Sequence, residues 1–152
     1  MPTREDDMDN DRIERSIDID APAERVWTLI CEPGWWINSG TIRPHEISTE
    51  GDVSVVTDPE HGTFRIRTEQ LGPPRYAAFR WLGGSADGDS DSPTSLVEFW
   101  IEDRLPSGVT LRVVESGLAA LDDTAEAAAT RYEENSAGWE QELAAARTSI
   151  VG

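Results

Sequence analysis

Ile13, Ile17 and Ile19 fall at odd positions between polar neighbours, the two-residue period of a half-buried strand that begins at Arg12. Asp20, Ala21 and Pro22 then read as a helix start, with Asp20 as the capping side chain and the proline near the first turn. That helix places Val26, Trp27 and Ile30 on one side and stops before Pro33 and Gly34. The apolar segment GWWINSG, which begins at Gly34, is too short for an ordinary helix and reads as one or two turns lying against a sheet. Two adjacent tryptophans on so short a turn are not expected to face inward together, which assigns one of Trp35 and Trp36 to the rim of an opening.

Strand-like runs follow at 41–48, 53–57, 63–71, 76–82, 94–103 and 109–116. Turn signals such as Glu50-Gly51-Asp52 and Pro106-Ser107-Gly108 separate them, and one long polar tract, GGSADGDSDSP, reads as a flexible loop. Connections this short favour an antiparallel meander. Alternation sorts the side chains by face: Val97, Phe99 and Ile101 against Glu98 and Glu102, and Phe64 and Ile66 against Arg65, Arg67 and Glu69. The charged sets read as cross-strand ion pairs on a solvated outer face. After Asp122 and Asp123 the period changes. Ala125, Ala128, Tyr132, Asn135, Trp139, Leu143, Ala146 and Ile150 succeed one another by three or four, the stripe of a long helix. Such a helix must cover the apolar face of the sheet, which predicts an α+β domain.

Composition narrows the partners. The 152 residues carry 30 acidic and 13 basic side chains for a formal charge of −17, and every basic residue is arginine. Nucleic acid and anionic membrane surfaces repel such a chain. Much of the excess sits in residues 1–11, the loop around Asp87 to Asp91 and the outer edge of the last helix, and residues 1–11 read as a disordered acidic arm ahead of a single domain over 12–152. The start lacks the basic and apolar regions of a signal peptide and no run approaches a membrane span, so the expected location is cytoplasmic. Cys31 has no second cysteine to pair with, and with two histidines no zinc-ligand spacing occurs; no metal and no cofactor is expected. Phosphate-cradling glycine loops are absent, and without lysine Schiff-base chemistry has no donor.

The order of elements carries a resemblance. IDIDAPAERVW from Ile17, GWWINSGT from Gly34, DPEHGTF from Asp58, LGPPRYAAFRW from Leu71, VVESG from Val113 and YEENSAGWEQEL from Tyr132 stand in the order and spacing of one family. The chain resembles the START-like (SRPBCC) helix-grip superfamily, and within it the homologues of the activator of heat-shock protein 90 ATPase, from Arg12 to Ile150. The resemblance implies a curved antiparallel sheet of about seven strands wrapped around the C-terminal helix and enclosing an apolar cavity. It implies binding of a hydrophobic or aromatic small molecule there. A polyketide cyclase- or hydrolase-like enzyme using the same cavity is the alternative, and a chaperone-associated ATPase activator ranks last, since only residues 1–11 precede the first strand. A homodimer through an exposed tryptophan edge is compatible with the sequence.

In such a cavity the inward aromatics Trp36, Phe64, Phe79, Trp81, Phe99, Tyr132 and Trp139 would form the lining, with plain core packing as the other reading. Among polar groups Glu115 is the sharpest candidate. It continues the alternation of Leu111 and Val113 and so points with the apolar side chains, where an unpaired charge is costly. It reads either as a general acid or base or as a strand-end group pairing with backbone or arginine. Asn135, on the inward stripe of the helix, could hydrogen-bond Glu115, a ligand or backbone near Gly138. His45, alternating with Arg43 and Ile47 in a strand, is the second acid–base candidate beside a satisfied core role, with Tyr132 a third. His61, in the PEHG turn, reads as a solvated turn residue.

Overall fold

The computed structural model describes residues 11–82, 94–118, 121 and 124–151. Residues 1–10 of the acidic arm, the whole GGSADGDSDSP tract and the Asp122-Asp123 pair lie outside the described residues. The strands are β1 (Arg12–Ile19), β2 (Glu46–Glu50), β3 (Val53–Asp58), β4 (Gly62–Gly72), β5 (Tyr76–Trp81), β6 (Leu96–Asp103) and β7 (Val109–Ser116). Two helices complete the chain, α1 (Ala23–Ile30) and α2 (Ala125–Val151). The strands form one antiparallel sheet in the order β1-β7-β6-β5-β4-β3-β2. It is a meander from β2 to β7, closed by β1 returning to pair with β7. A register shift between Thr68 and Gln70 interrupts the β4–β5 ladder, the kind of irregularity that bends a strand.

The inward alternation holds across the central strands. Val97, Phe99 and Ile101 of β6 and Leu111 and Val113 of β7 are fully or almost fully buried, as are Ile66 and Phe79 on their neighbours. Arginines and carboxylates occupy the other face. Arg112 reaches Glu14 at 3.2 Å and Glu102 at 3.9 Å, and its guanidinium lies 4.4 Å from the centre of the Trp100 ring. Arg80 and Arg67 both approach Glu69, at 3.7 and 3.8 Å. These pairs are solvent-accessible in part and contribute little each.

α2 is continuous through Gly138 and packs along β1. Thr124 caps it: its hydroxyl accepts from the N–H of Ala127 at 3.0 Å. The buried face consists of Ser136, Trp139, Glu142, Leu143, Ala145 and Ala146, while Ala125 is exposed and Tyr132 and Ile150 are half-buried. The stripe expected from the spacing is therefore fully buried only within 136–146, with Tyr132 and Ile150 packed half-buried against the core on either side. Among the described residues no helix is long and apolar enough to cross a membrane.

Three local expectations are corrected. Asp20 does not cap α1; Pro22 is the N-cap, in an extended conformation and without a side-chain cap, and its carbonyl accepts from Arg25 and Val26. Residues 41–45 form no strand, so His45 precedes β2. Pro44 can donate nothing to a ladder, and the Arg43 and His45 side chains are drawn to Asp58 instead.

The third concerns the tryptophan pair. Both Trp35 and Trp36 are buried, at 0% and 7% exposure, so the two do face inward together, Trp35 in the core and Trp36 on the wall of a cavity between the sheet and α2. Two successive turns, from Glu32 to Trp35 and from Gly34 to Ile37, replace a helix. The two rings sit edge to face at 6.1 Å and both pack on Phe99, at 5.4 and 5.5 Å. Gly34 permits this: at φ +75° it brings the turn so close to β3 that a Cβ there would stand 3.0 Å from Val56 Cγ1.

Candidate functional site

Between the sheet and α2, beside Trp36 and the end of β7, the structure leaves a cavity of about 760 Å³. Trp36, Phe64 and Trp81 line it from the sheet side, and Asn135, Gly138 and Trp139 from the helix. The rings form one connected cluster. Trp36 lies 5.7 Å from Trp81 and 5.8 Å from Trp139, and Trp81 lies 5.5 Å from Phe64. Three of the aromatic candidates stand elsewhere. Phe79 and Phe99 are fully buried behind Trp36, in the core, and Tyr132 packs against the core from α2 without facing the cavity.

Glu115 enters the cavity wall from the end of β7 and is 4% exposed. Three neutral donors converge on it. Trp139 Nε1–H donates to Oε1 at 2.9 Å, Asn135 Nδ2–H to the same oxygen at 3.4 Å, and Ser95 Oγ–H to Oε2 at 2.7 Å. The carboxylate thus ties β7 to α2 and to the segment leading into β6. A carboxylate offers about four acceptor positions, two on each oxygen, so Oε2 keeps one unused. Of the partners the sequence left open to Asn135, Glu115 is the one it meets, and the Trp139 and Ser95 donors complete the set.

A second inward carboxylate was not anticipated. Glu142 is 7% exposed, lines the same cavity, and accepts from Asn38 Nδ2 at 3.3 Å and from the Gly40 N–H at 3.1 Å. Burial pushes its pKa above the ordinary glutamate value, against the hydrogen bonds from Gly40 and Asn38 and the charges of Arg43 and His61. A signal for it existed in the sequence. Asn135, Trp139 and Glu142 follow one another by four and three, which puts all three on one helix face. Asn38 and Ser95 gave no such signal, being single polar residues in irregular segments.

Beyond the cavity, the acid–base candidates are occupied in a structural network. Arg43 clamps Asp58 with two bonds of 2.9 Å, from Nε and Nη2. The backbone N–H groups of Glu60 and His61 donate to Asp58 Oδ2 as well, at 2.9 and 2.8 Å. The guanidinium, first among these donors, holds the Asp58 pKa far below the usual carboxylate range. His45 is wholly buried, and its Nε2 faces the Ile37 carbonyl at 2.6 Å and Asp58 Oδ1 at 2.9 Å. A carbonyl can only accept, so Nε2 carries the proton; Nδ1 is buried without a partner. His45 does not line the cavity. His61 stays in its turn, but is tied in: Nε2 donates to the Asn38 carbonyl at 3.2 Å and stands 2.9 Å from Ser39 Oγ. The network fixes residues 37–43 behind Trp36 and joins them to β3, to the β3–β4 turn and, through Glu142, to α2. Among the described residues no group of three or more His, Cys, Asp or Glu side chains is placed to hold a metal ion.

A curved seven-stranded antiparallel sheet gripping one long C-terminal helix, with a cavity between them, defines the helix-grip class of proteins. The family model of the activator of Hsp90 ATPase homolog 1-like proteins matches residues 20–146, and the chain belongs to that family. Among solved structures it is similar to a protein of Mesorhizobium loti, at 18% identity over 90% of this chain and 94% of that one, with a TM-score of 0.64. It is equally similar to the Aha1 dimer of Colwellia psychrerythraea, at 18% identity, 91% and 95% coverage and a TM-score of 0.62. DynU16, a protein of the dynemicin biosynthetic locus, matches at 18% identity over 92% of this chain, with a TM-score of 0.67, but this chain spans only 47% of that one. At such identity the likeness is one of fold. No curated protein sequence matches the chain significantly.

Proposed function

We propose that the protein binds a hydrophobic or aromatic small molecule, in the cytoplasm, in the cavity between the sheet and α2. The observation that carries the reading is the cavity itself. Its volume of about 760 Å³ lies in the range of small-molecule sites, roughly 300–1,000 Å³. Its walls join flat apolar rings to a few fixed polar groups, Glu115 and Glu142 foremost. Rings such as those of Trp36, Trp81 and Trp139 give broad contact at small conformational cost.

Native mass spectrometry of the protein purified from its own host tests this directly, with a screen of apolar compounds followed by tryptophan fluorescence. The expected result is a retained small mass, or a compound that shifts the indole emission and raises Tm. A protein that leaves its host empty and takes up no compound of the screen refutes the reading.

A second reading, catalysis of cyclase or hydrolase type in the same cavity, is favoured by one feature: Glu115 is a buried carboxylate in the cavity wall with one acceptor position unused. Once a substrate is known, Glu115→Gln should abolish turnover while binding persists; full turnover in that variant removes Glu115 as the acid–base group.

A further inference from the structure

The polar groups of the cavity are one-sided. Among the described residues that line it, three carry carboxylates, Glu115, Glu134 and Glu142, and one carries a guanidinium, Arg131, which is itself engaged in an interaction. Glu134 is exposed at the mouth, whereas Glu115 and Glu142 are more than nine-tenths buried. The donors around the inner two are fixed and already used: Trp139, Asn135 and Ser95 on Glu115, Asn38 and Gly40 on Glu142. What the two carboxylates retain is acceptor capacity, about one position on Glu115 and two on Glu142. For an occupant that offers only acceptors the wall holds one buried donor without a partner, the neutral Trp36 Nε1–H, and an anionic occupant would meet two desolvated negative charges. A donor, above all a charged one, fills the remaining positions with strong charge-assisted bonds. The indoles of Trp36, Trp81 and Trp139 in the same walls favour a cation further, through the negative faces of their rings. The charge of −17 on the whole chain raises the local concentration of cations and lowers that of anions.

We infer that the cavity selects an amine: a ligand with an aromatic or apolar body and a protonated nitrogen that donates to Glu115 and Glu142. This rests on the binding function proposed above and names its ligand class. It places fatty acids, acidic polyketides and phosphorylated compounds on the disfavoured side.

The test is a matched set of probes that differ in one group: naphthylethylamine, naphthylethanol and naphthylacetate, titrated into the full chain by calorimetry. The amine should bind about tenfold or more tightly than the alcohol, a margin that one charge-assisted bond readily supplies, and the acid should bind weakest. An alcohol or acid that binds as tightly as the amine overturns the amine inference and leaves the binding function standing. Failure of all three probes to bind overturns the inference, and with an empty protein from the host the binding function falls too. Glu115→Gln gives a second readout. Its amide oxygen can still accept from Trp139 and Asn135 while its NH2 donates to Ser95 Oγ, so the fold is retained and only the charge is lost. The amine advantage over the alcohol should fall to about threefold or less; Glu142→Gln should reduce it less. An undiminished advantage in both variants overturns the assignment. Should a variant not fold, the comparison of the three probes on the natural chain decides.

Discussion

Glu115→Ala removes the acceptor shared by three donors, and the structure sets the size of the effect. Trp139 is 5% exposed and Ser95 3% exposed, so neither can turn to bulk water once the carboxylate is gone. A buried donor left without a partner costs about 1–3 kcal/mol. The indole N–H, held by its ring in the aromatic cluster, carries that cost in full. The Ser95 hydroxyl rotates and recovers part of it, and Asn135, half-buried with a long 3.4 Å contact, contributes little. The expected loss is about 2–4 kcal/mol, which for a domain of this length lowers Tm by roughly 5–12 °C. Glu115→Gln provides the control. It preserves an acceptor for the helix donors and reverses the Ser95 bond, so its cost should stay below about 1 kcal/mol. Urea unfolding followed by tryptophan fluorescence measures both, with unchanged m-values confirming a common transition. An alanine variant within about 0.5 kcal/mol of the natural chain, or a glutamine variant as unstable as the alanine one, would refute the view that Glu115 acts as an acceptor pinning α2 to the sheet.

Two further outcomes follow from the same geometry. Asp58 has a folded pKa far below its unfolded value near 4, so the stability it contributes is complete above that value and is lost as the pH falls through the folded one. Asp58→Asn should therefore lower Tm at pH 7, with the gap to the natural chain narrowing steadily below about pH 4; a gap that stays constant down to pH 2 would contradict the linkage. Gly138 lines the cavity in mid-helix, and a Cβ built there meets nothing within 4 Å. Gly138→Ala should stabilise the protein by about 0.5–1 kcal/mol in thermal unfolding, while weakening an occupant that fills the cavity; an alanine that destabilises would show the space to be filled.

Which parts of this design could be read from the chain depended on the range of the interaction involved. The facing of Val97, Phe99 and Ile101, and of Leu111, Val113 and Glu115, follows from the pleat alone, so the inward carboxylate on β7 was visible. So was the contact between Glu115 and Asn135, once a sheet and a helix stripe were placed face to face. The Asp58 cluster was not. It joins Arg43, His45 and the β3–β4 turn through bonds that cross 13–17 residues, and nothing in the local period of 41–48 announces that a proline and two drawn-in side chains replace a strand. Burial of both Trp35 and Trp36 failed the simple facing argument because that argument assumes regular geometry; a chain of turns can send consecutive rings to the same side at right angles. Glu142 was overlooked because a glutamate on a helix is ordinarily solvated, and only its spacing from Trp139 marked it.

The helix wall itself follows from these details. Opposite an aromatic-rich sheet, the buried face of α2 has only two large apolar side chains, Trp139 and Leu143, beside Ser136, Ala145 and Ala146, with Gly138 on the cavity wall. A helix held only by apolar packing would close onto the sheet until its leucines filled the space. Here the small residues forgo part of that packing, and two carboxylates act in its place from opposite directions: Glu115 reaches from the sheet to helix donors, and Glu142 reaches from the helix to backbone and amide donors beside the tryptophan turns. Directional bonds hold a separation that nonpolar contact would collapse. The groups that keep the cavity open are therefore the same groups that give it a polarity, and a substitution that removes one of them should alter stability and ligand preference together.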